Sequence, residues 1–157
     1  MLRSFPFGLL ASAISLASLP VFAEVKPTTL INGLQPSGEI KGLVNTKTLI
    51  DRELPDGRRV LATRGTRIQG TRVPIHIHEY GGMTCVFSGQ ITGFVEGMPD
   101  KTYYAGDCYY MPPNTPMSAY NSGNISAVLV DMFHLPYGVK PMKIIERGIN
   151  NDNIPLD

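Results

Sequence analysis

Beyond residue 51 the chain is built from short runs of alternating or apolar residues, separated by Gly, Pro, Asn and Asp. Apolar side chains at every second position indicate strands, and no part of this region keeps a helical period over three turns. The candidate strands cover residues 59–63, 71–79, 83–87, 90–96, 101–104, 107–111, 117–121 and 125–133. Strands that recur about every 8–12 residues are typical of a sandwich or a small barrel, so we predict an all-β fold.

The first 23 residues have a different pattern. Arg3 supplies a positive charge, residues 7–19 form an apolar run, and Val21-Phe-Ala23 matches the small residues at a cleavage site. This pattern predicts a cleavable export signal, and the run is too short for a membrane-spanning helix. We therefore expect a signal peptide at 1–23, an N-terminal arm at 24–43, one folded domain at 44–147 and a C-terminal tail at 148–157. The expected location is the periplasm or the outside of the cell.

The charge of the mature chain argues against some partners. The whole sequence has 14 Lys and Arg, so removing Arg3 leaves 13 basic residues against 13 acidic ones. A neutral chain has no general attraction to nucleic acid or to anionic membranes. Residues 58–78 are an exception, with five arginines and no acid. They could be charged edge strands that resist aggregation, or one of them, for instance Arg64, could point inward and hold a carboxylate ligand.

Two of the three histidines, His76 and His78, are separated by a single residue. Residues i and i+2 of a strand point to the same side, so both imidazoles could bind one metal ion. The alternative is a pair of strand histidines that face solvent.

The sequence around this pair resembles the two motifs of the cupin family. The first motif, Gly-x5-His-x-His-x3–4-Glu-x6-Gly, is in register with Gly70, His76, His78 and Gly89; the second is in register with Gly106, Pro112 and Asn121. The resemblance covers residues 70–121 and extends over the flanking strands. It implies a double-stranded β-helix, the jelly roll of the cupins, with a metal ion inside the barrel and ligands from both motifs.

Two departures from the motifs bear on the metal. The usual Glu is replaced by Gly82 or Met83, depending on the spacing, and the usual third His is replaced by Met117. A thioether is a soft ligand that suits Cu(I). We therefore expect one metal ion held by His76, His78 and Met117, with Met83 as a further candidate. Copper is favoured over iron, manganese, nickel or zinc. The alternative is that both methionines fill the barrel as apolar residues.

Further candidates lie next to the motifs. Tyr80 and Tyr110 could face inward and hydrogen-bond a substrate, although most tyrosines of a β-barrel serve packing. Cys85 and Cys108 are the only cysteines, and export permits a disulfide between them. In a jelly roll their strands are usually neighbours. A disulfide is our first expectation, two buried thiols the second, and thiolate ligation the third.

Two classes of function follow from these expectations. The first is a periplasmic metal-binding protein for copper storage, tolerance or delivery. The second is a small metal-dependent enzyme, such as a dioxygenase, isomerase, decarboxylase or lyase, acting on a small oxygenated or anionic molecule. The partners are then a metal ion and a possible small-molecule ligand, without nucleic acid or a membrane span, and the protein could be a homodimer.

Overall fold

The computed structural model describes residues 24–149; the predicted export signal and most of the predicted tail lie outside them. Within this range the chain forms strands and no helix, which confirms the predicted all-β fold. The strands are β1 (Glu39–Ile40), β2 (Val44–Glu53), β3 (Arg58–Arg67), β4 (Thr71–Arg72), β5 (His76–Ile77), β6 (Gly82–Ser88), β7 (Gln90–Val95), β8 (Lys101–Tyr104), β9 (Cys108–Met111), β10 (Met117–Tyr120), β11 (Ala127–Pro136) and β12 (Lys143–Ile144).

The strands form two sheets. In the first sheet β10 pairs with β4 and β5 on one side and with β7 on the other, and β7 pairs with β8. The short strands β1 and β12 add to β4 and β5. The second sheet has the order β2-β3-β11-β6-β9, and all its pairs are antiparallel. Inward-facing residues of the two sheets therefore enclose the interior of the molecule.

The observed strands differ from the predicted ones in two places, at a proline and in a polar segment. The single run predicted at 71–79 divides into β4 and β5, because Pro74 lies between them and cannot donate to a sheet. Strand β2 was not predicted, because its residues are largely exposed and polar. Two register irregularities against β3 further break its alternation.

Three clusters of apolar side chains fill the interior. The first contains Leu61, Met111, Met117, Phe133 and Leu135, and its Phe133 ring lies against the ring of His78. The second contains Ile31, Ile75, Ile77 and Ile145, so a residue from the predicted arm packs with residues of the folded domain. The third contains Val86, Ile91, Ala127 and Leu129.

A buried ion pair fixes the C-terminal end of the described chain to β4. Arg72 donates two hydrogen bonds, of 2.7 and 2.6 Å, to the Glu146 carboxylate. The same carboxylate accepts a 2.7 Å bond from the Ile75 amide, one residue before His76. The start of the first motif is thus tied to a residue near the C-terminal end of the described chain. No helix within the described range is long and apolar enough to cross a membrane.

Candidate functional site

The two motif histidines lie side by side in the interior. His76 is 5% and His78 is 4% exposed, and their Nε2 atoms are 3.1 Å apart. The rings meet edge to face, with centroids 4.8 Å apart. We call these two residues the histidine pair.

Backbone carbonyls fix the orientation of both rings. Nδ1 of His76 lies 2.7 Å from the Pro74 carbonyl oxygen, and Nδ1 of His78 lies 2.6 Å from that of Pro141. A carbonyl oxygen only accepts hydrogen bonds, so each Nδ1 carries a proton and donates it. Both prolines belong to segments outside the regular strands, where their carbonyls are free of a sheet partner.

The same burial keeps both imidazoles neutral. Burial, reinforced by His78, lowers the pKa of His76 to about 3, and burial also lowers the pKa of His78. With Nδ1 protonated and each ring neutral, each Nε2 presents a lone pair. Two lone pairs that face each other at 3.1 Å repel unless a cation lies between them. The histidine pair therefore offers two unprotonated nitrogen atoms, which is the arrangement that two ligands of one cation need.

Met117 lies next to this pair. It is the direct Cα partner of His76 across the β5–β10 pairing, so both side chains project to the same face. Met117 is 4% exposed and packs in one cluster with Met111 and Phe133. The Phe133 ring in turn lies 5.2 Å from the ring of His78. The structure thus brings Met117 and the histidine pair together.

Gly82 occupies the position where the motif has Glu on its shorter spacing. A Cβ atom at Gly82 would lie 2.7 Å from Cδ1 of Phe133 and 2.8 Å from Cε of Met111. Apolar side chains therefore fill the space that a carboxylate would need. Within residues 24–149, no three His, Cys, Asp or Glu side chains are grouped so as to hold a metal ion.

The structure corrects the expectation for Met83. Gly82, Thr84 and Val86 face the interior from β6, and Met83 therefore lies on the outer face, 40% exposed. The second interior thioether is instead Met111, at the end of β9, which is 5% exposed and accepts a hydrogen bond from Thr84 Oγ1 at 3.4 Å. The sequence did not show that Met83 faces outward, because the turn that precedes β6 sets which residues of that strand face the interior.

A second correction concerns the inward arginine. Arg64 is exposed, whereas Arg67, three residues later on β3 and thus of opposite parity, is 3% exposed. Arg67 donates to the Lys41 carbonyl, and its Nε–H has no acceptor. Burial lowers the pKa of Arg67 to about 10, which leaves it charged at pH 7.

The predicted substrate-binding tyrosines also face outward. Tyr80 is 47% and Tyr110 is 66% exposed, so neither lies with the histidine pair. The inward tyrosine of β9 is Tyr109, whose ring stacks on that of Tyr103 with centroids 4.6 Å apart. Because side chains alternate along Cys108–Met111, either Tyr109 or Tyr110 must face inward, but the sequence did not show which one does.

The two cysteines and the third histidine of the chain, His134, lie away from the pair. Cys85 of β6 and Cys108 of β9 are direct Cα partners and form a disulfide, so neither thiol is free for a metal. His134 is exposed on β11, where its Nε2 accepts a 3.1 Å hydrogen bond from Arg58 Nε.

Solved structures share this architecture at low sequence identity. The DMSP lyase DddQ from Ruegeria pomeroyi DSS-3 matches with a TM-score of 0.52 and 17% identity over 63% of this chain and 50% of the lyase. A protein with a double-stranded β-helix domain from Klebsiella pneumoniae matches with a TM-score of 0.51 and 19% identity over 73% of this chain and 91% of that one. A cupin-like protein from Thermotoga maritima matches with a TM-score of 0.52 and 19% identity, covering 71% and 86%.

At the level of sequence, no protein-family model and no curated protein matches the chain. The likenesses therefore concern the fold, and the chain spans half the length of the lyase. Together with the two curled sheets and the interior histidine pair, they identify the fold of this chain as the double-stranded β-helix of the cupin superfamily.

Proposed function

We propose that this protein binds one transition-metal ion, with copper preferred, through the Nε2 atoms of His76 and His78 and the thioether of Met117. The observation that carries the proposal is the histidine pair, with two unprotonated nitrogens 3.1 Å apart in the interior. This separation suits two ligands of one ion, because bonds of about 2.0–2.1 Å that meet at about 100° leave their nitrogen atoms about 3.1 Å apart.

The hydrogen bonds around the pair also favour this function. Ligand histidines usually donate their second ring N–H to a carbonyl or carboxylate, which fixes the tautomer and the ring orientation. The Pro74 and Pro141 carbonyls serve that purpose here. Since both rings are already neutral, metal binding does not have to displace a proton from either one.

The preference for copper depends on the neighbouring thioethers. Met117 projects beside His76, and Met111 belongs to the same cluster. No carboxylate replaces the missing motif Glu at Gly82, where Phe133 and Met111 fill the space. Two imidazoles with one or two thioethers are a softer ligand set than iron or manganese prefers, and they suit Cu(I).

Metal titration of the purified protein tests this proposal. We expect one equivalent of Cu(I) to bind, and we expect the double variant His76→Ala/His78→Ala to lose stoichiometric binding while its circular dichroism stays that of a folded β-protein. Full metal retention in that variant would contradict the site.

Two methionine variants separate ligation from packing. Met117→Leu keeps the apolar volume but removes the sulfur, so Cu(I) affinity should fall relative to that for Co(II). Met83→Leu makes the same chemical change on the outer face and is the matched control. Equal relative affinities in wild type and Met117→Leu would assign Met117 to packing and remove the main support for copper.

A metal-dependent enzyme is the second candidate. The DMSP lyase shares the fold, and the interior holds the ionisable residues Arg67 and Asp131. These are groups that could bind or orient a small oxygenated or anionic substrate. Turnover by the metal-loaded protein, abolished in the double histidine variant, would favour this candidate over storage or delivery.

The proposed location is the periplasm, on the basis of the predicted export signal at 1–23. Intact-mass measurement of protein from the periplasmic fraction tests it. We expect a chain that begins near Glu24, and a mass that includes Met1 would contradict the proposal.

A further inference from the structure

The outer side of the second sheet carries an uninterrupted row of apolar side chains. Direct Cα partners on neighbouring strands project to the same side of a sheet. Such partners lead from β2 across β3, β11 and β6 to β9, and they are Ile50, Ala62, Met132, Met83 and Tyr110. Ile50, Met83 and Tyr110 are 48%, 40% and 66% exposed. Five strands about 4.8 Å apart give this row, which we call the apolar row, a length of about 19 Å.

Cationic side chains lie on the same side of the sheet, on both flanks of the apolar row. Arg52 is the Cα partner of Val60, two residues before Ala62 on β3. Lys47 is the partner of Arg64, two residues after Ala62. Lys47, Arg52 and Arg64 are all exposed. The outer face of the second sheet therefore combines apolar surface with positive charge.

The acidic residues of these five strands lie on the opposite side. There are three of them, and Asp131 faces the interior from β11. Asp51 is the Cα partner of the buried Leu61, and Glu53 is the partner of Arg59, which lies two residues before Leu61. No Asp or Glu of the five strands is therefore on the outer face.

The exposed cations of this face also have no counter-ion. Within residues 24–149, neither of the two ion pairs includes Lys47, Arg52 or Arg64. The whole chain has 14 basic and 13 acidic residues, so a face without acid is a local concentration of positive charge. A complementary partner must be negatively charged and must also accept apolar side chains.

A second copy of this chain meets only half of that requirement. Two such faces in contact would bury their apolar rows, but they would also bring two sets of unpaired cations together. Like charges that meet across an interface oppose association. The charge of the face thus argues against self-association through it.

The shape and the side chains of the face suit a membrane surface. Because the sheet curls around the interior, its outer side is convex, whereas small molecules bind in concave sites. Long Lys and Arg side chains can reach headgroup phosphates while their stems lie along apolar surface. Tyr110 joins an apolar ring to a polar hydroxyl, which is typical of residues at a membrane–water interface. Phe87 of β6 adds a second aromatic ring that is 67% exposed.

We propose that the outer face of the second sheet binds anionic phospholipid headgroups, so that the protein associates peripherally with an anionic membrane surface. The cations contact the headgroup phosphates, and the apolar row contacts the interface beneath them. This association goes beyond the proposed metal site and does not depend on it, because no residue of the face is a proposed metal ligand.

Vesicle flotation in the presence of a chelator tests the proposal. The protein is the chain from Glu24 onward, which contains every described strand and omits the apolar run of the predicted export signal. Vesicles with about one third phosphatidylglycerol in phosphatidylcholine should bind it with saturation, and pure phosphatidylcholine vesicles should bind it about tenfold more weakly. Raising the salt concentration to about 0.5 M should weaken binding to the anionic vesicles by about the same factor.

Matched charge variants assign the binding to this face. Lys47→Gln/Arg64→Gln should weaken binding to the anionic vesicles about tenfold. Lys143→Gln/Arg147→Gln removes the same two charges at exposed positions outside the second sheet and should leave the affinity within about twofold.

A matched pair of tyrosine variants tests the apolar row. Tyr110→Ser should weaken binding about threefold or more, because the ring no longer enters the interface. Tyr104→Ser makes the same change on β8 of the first sheet, where the side chain is 58% exposed, and should have no effect. Circular dichroism checks that each variant is folded. The comparisons of lipid composition and salt use the unaltered chain and stay decisive if a variant is unfolded.

Several outcomes would overturn the proposal. These are binding that is absent, equal for neutral vesicles, insensitive to salt, or reduced as much by Lys143→Gln/Arg147→Gln as by Lys47→Gln/Arg64→Gln. Tighter binding of soluble poly-glutamate than of vesicles would assign the face to an acidic protein. A dimer in sedimentation that Tyr110→Ser dissociates would assign the face to a second copy of the chain.

The result can be distinguished from the fate of the proposed metal function. The variant His76→Ala/His78→Ala should lose metal binding and float with anionic vesicles as the unaltered chain does. A protein that binds these vesicles but no metal would contradict the metal site alone.

Discussion

The buried pair of Arg72 and Glu146 allows a sharp test of how burial decides the energy of an ion pair. Its side chains are 2% and 5% exposed, and the carboxylate accepts three hydrogen bonds, two from Arg72 and one from the Ile75 amide. Burial raises the pKa of Glu146, but the hydrogen bonds from Arg72 and Ile75 outweigh it and hold the pKa below its usual value. The carboxylate is therefore ionised at pH 7.

Glu146→Gln keeps the shape of the side chain and leaves the buried Arg72 charge without its counter-ion. Removing one partner of a buried pair costs about 3–5 kcal/mol. For a domain of this size we expect the midpoint of thermal unfolding to fall by about 10–20 °C. The variant should still fold at room temperature, since small domains have about 5–15 kcal/mol of stability.

The matched control is the pair Arg59–Asp51, which has the same 2.6 Å nitrogen–oxygen distance but lies at the surface. Asp51 is 47% exposed, so Asp51→Asn should leave the midpoint nearly unchanged. The double variant Arg72→Met/Glu146→Gln removes the uncompensated charge and should recover at least half of the loss. Equal midpoint shifts for Glu146→Gln and Asp51→Asn would refute the reasoning.

Three further predictions concern the interior and the disulfide. Burial and His78 lower the pKa of His76 to about 3, below its value of about 6.5 in the unfolded chain, so the unfolded state takes up the proton first. In the presence of a chelator, the protein should therefore lose stability as the pH falls from about 6.5 towards 3. Urea unfolding at about pH 7.5 and pH 5 measures this loss in wild type and in His76→Gln. Equal losses in the two proteins would contradict the prediction. Gly82→Ala should lower the free energy of unfolding by about 1–3 kcal/mol in the same assay, because its Cβ would lie too close to Phe133. The control is Gly93→Ala, whose Cβ would meet other atoms only at 3.5 Å or more. Equal losses in the two variants would contradict the crowding at Gly82. The double variant Cys85→Ala/Cys108→Ala should lose about 3 kcal/mol of unfolding free energy. Thiol titration of the unreduced wild type should find no free thiol, and two free thiols would contradict the disulfide.

Alternation in the sequence was enough to predict the class of fold and the common face of His76 and His78. It did not show which side of β3 faces inward, because that strand has apolar residues on both of its faces. The prediction therefore named Arg64, whereas Arg67 is the arginine that faces inward. The glycines Gly81 and Gly82 hid which residues of β6 face inward. Gly81 has a positive φ and forms a turn, and the alternation of apolar residues does not give the length of that turn. The bond between Arg72 and Glu146 joins residues 74 positions apart, and no local pattern encodes it.

The hydrogen bond between His78 and the Pro141 carbonyl links the candidate metal site to the order in which the chain is made. The ring of His78 receives its fixed orientation from a residue 63 positions later, and the strand of His76 is held by Glu146 later still. A chain that emerges from synthesis or from export with its N-terminus first has both histidines long before it has these partners. Until the C-terminal segment docks, the ring of His78 lacks the carbonyl that orients it and the strand of His76 lacks the support of Glu146, so a metal ion encountered early would meet an incomplete pair. The proposed metal binding is therefore expected only late in folding, and it would then report completed assembly.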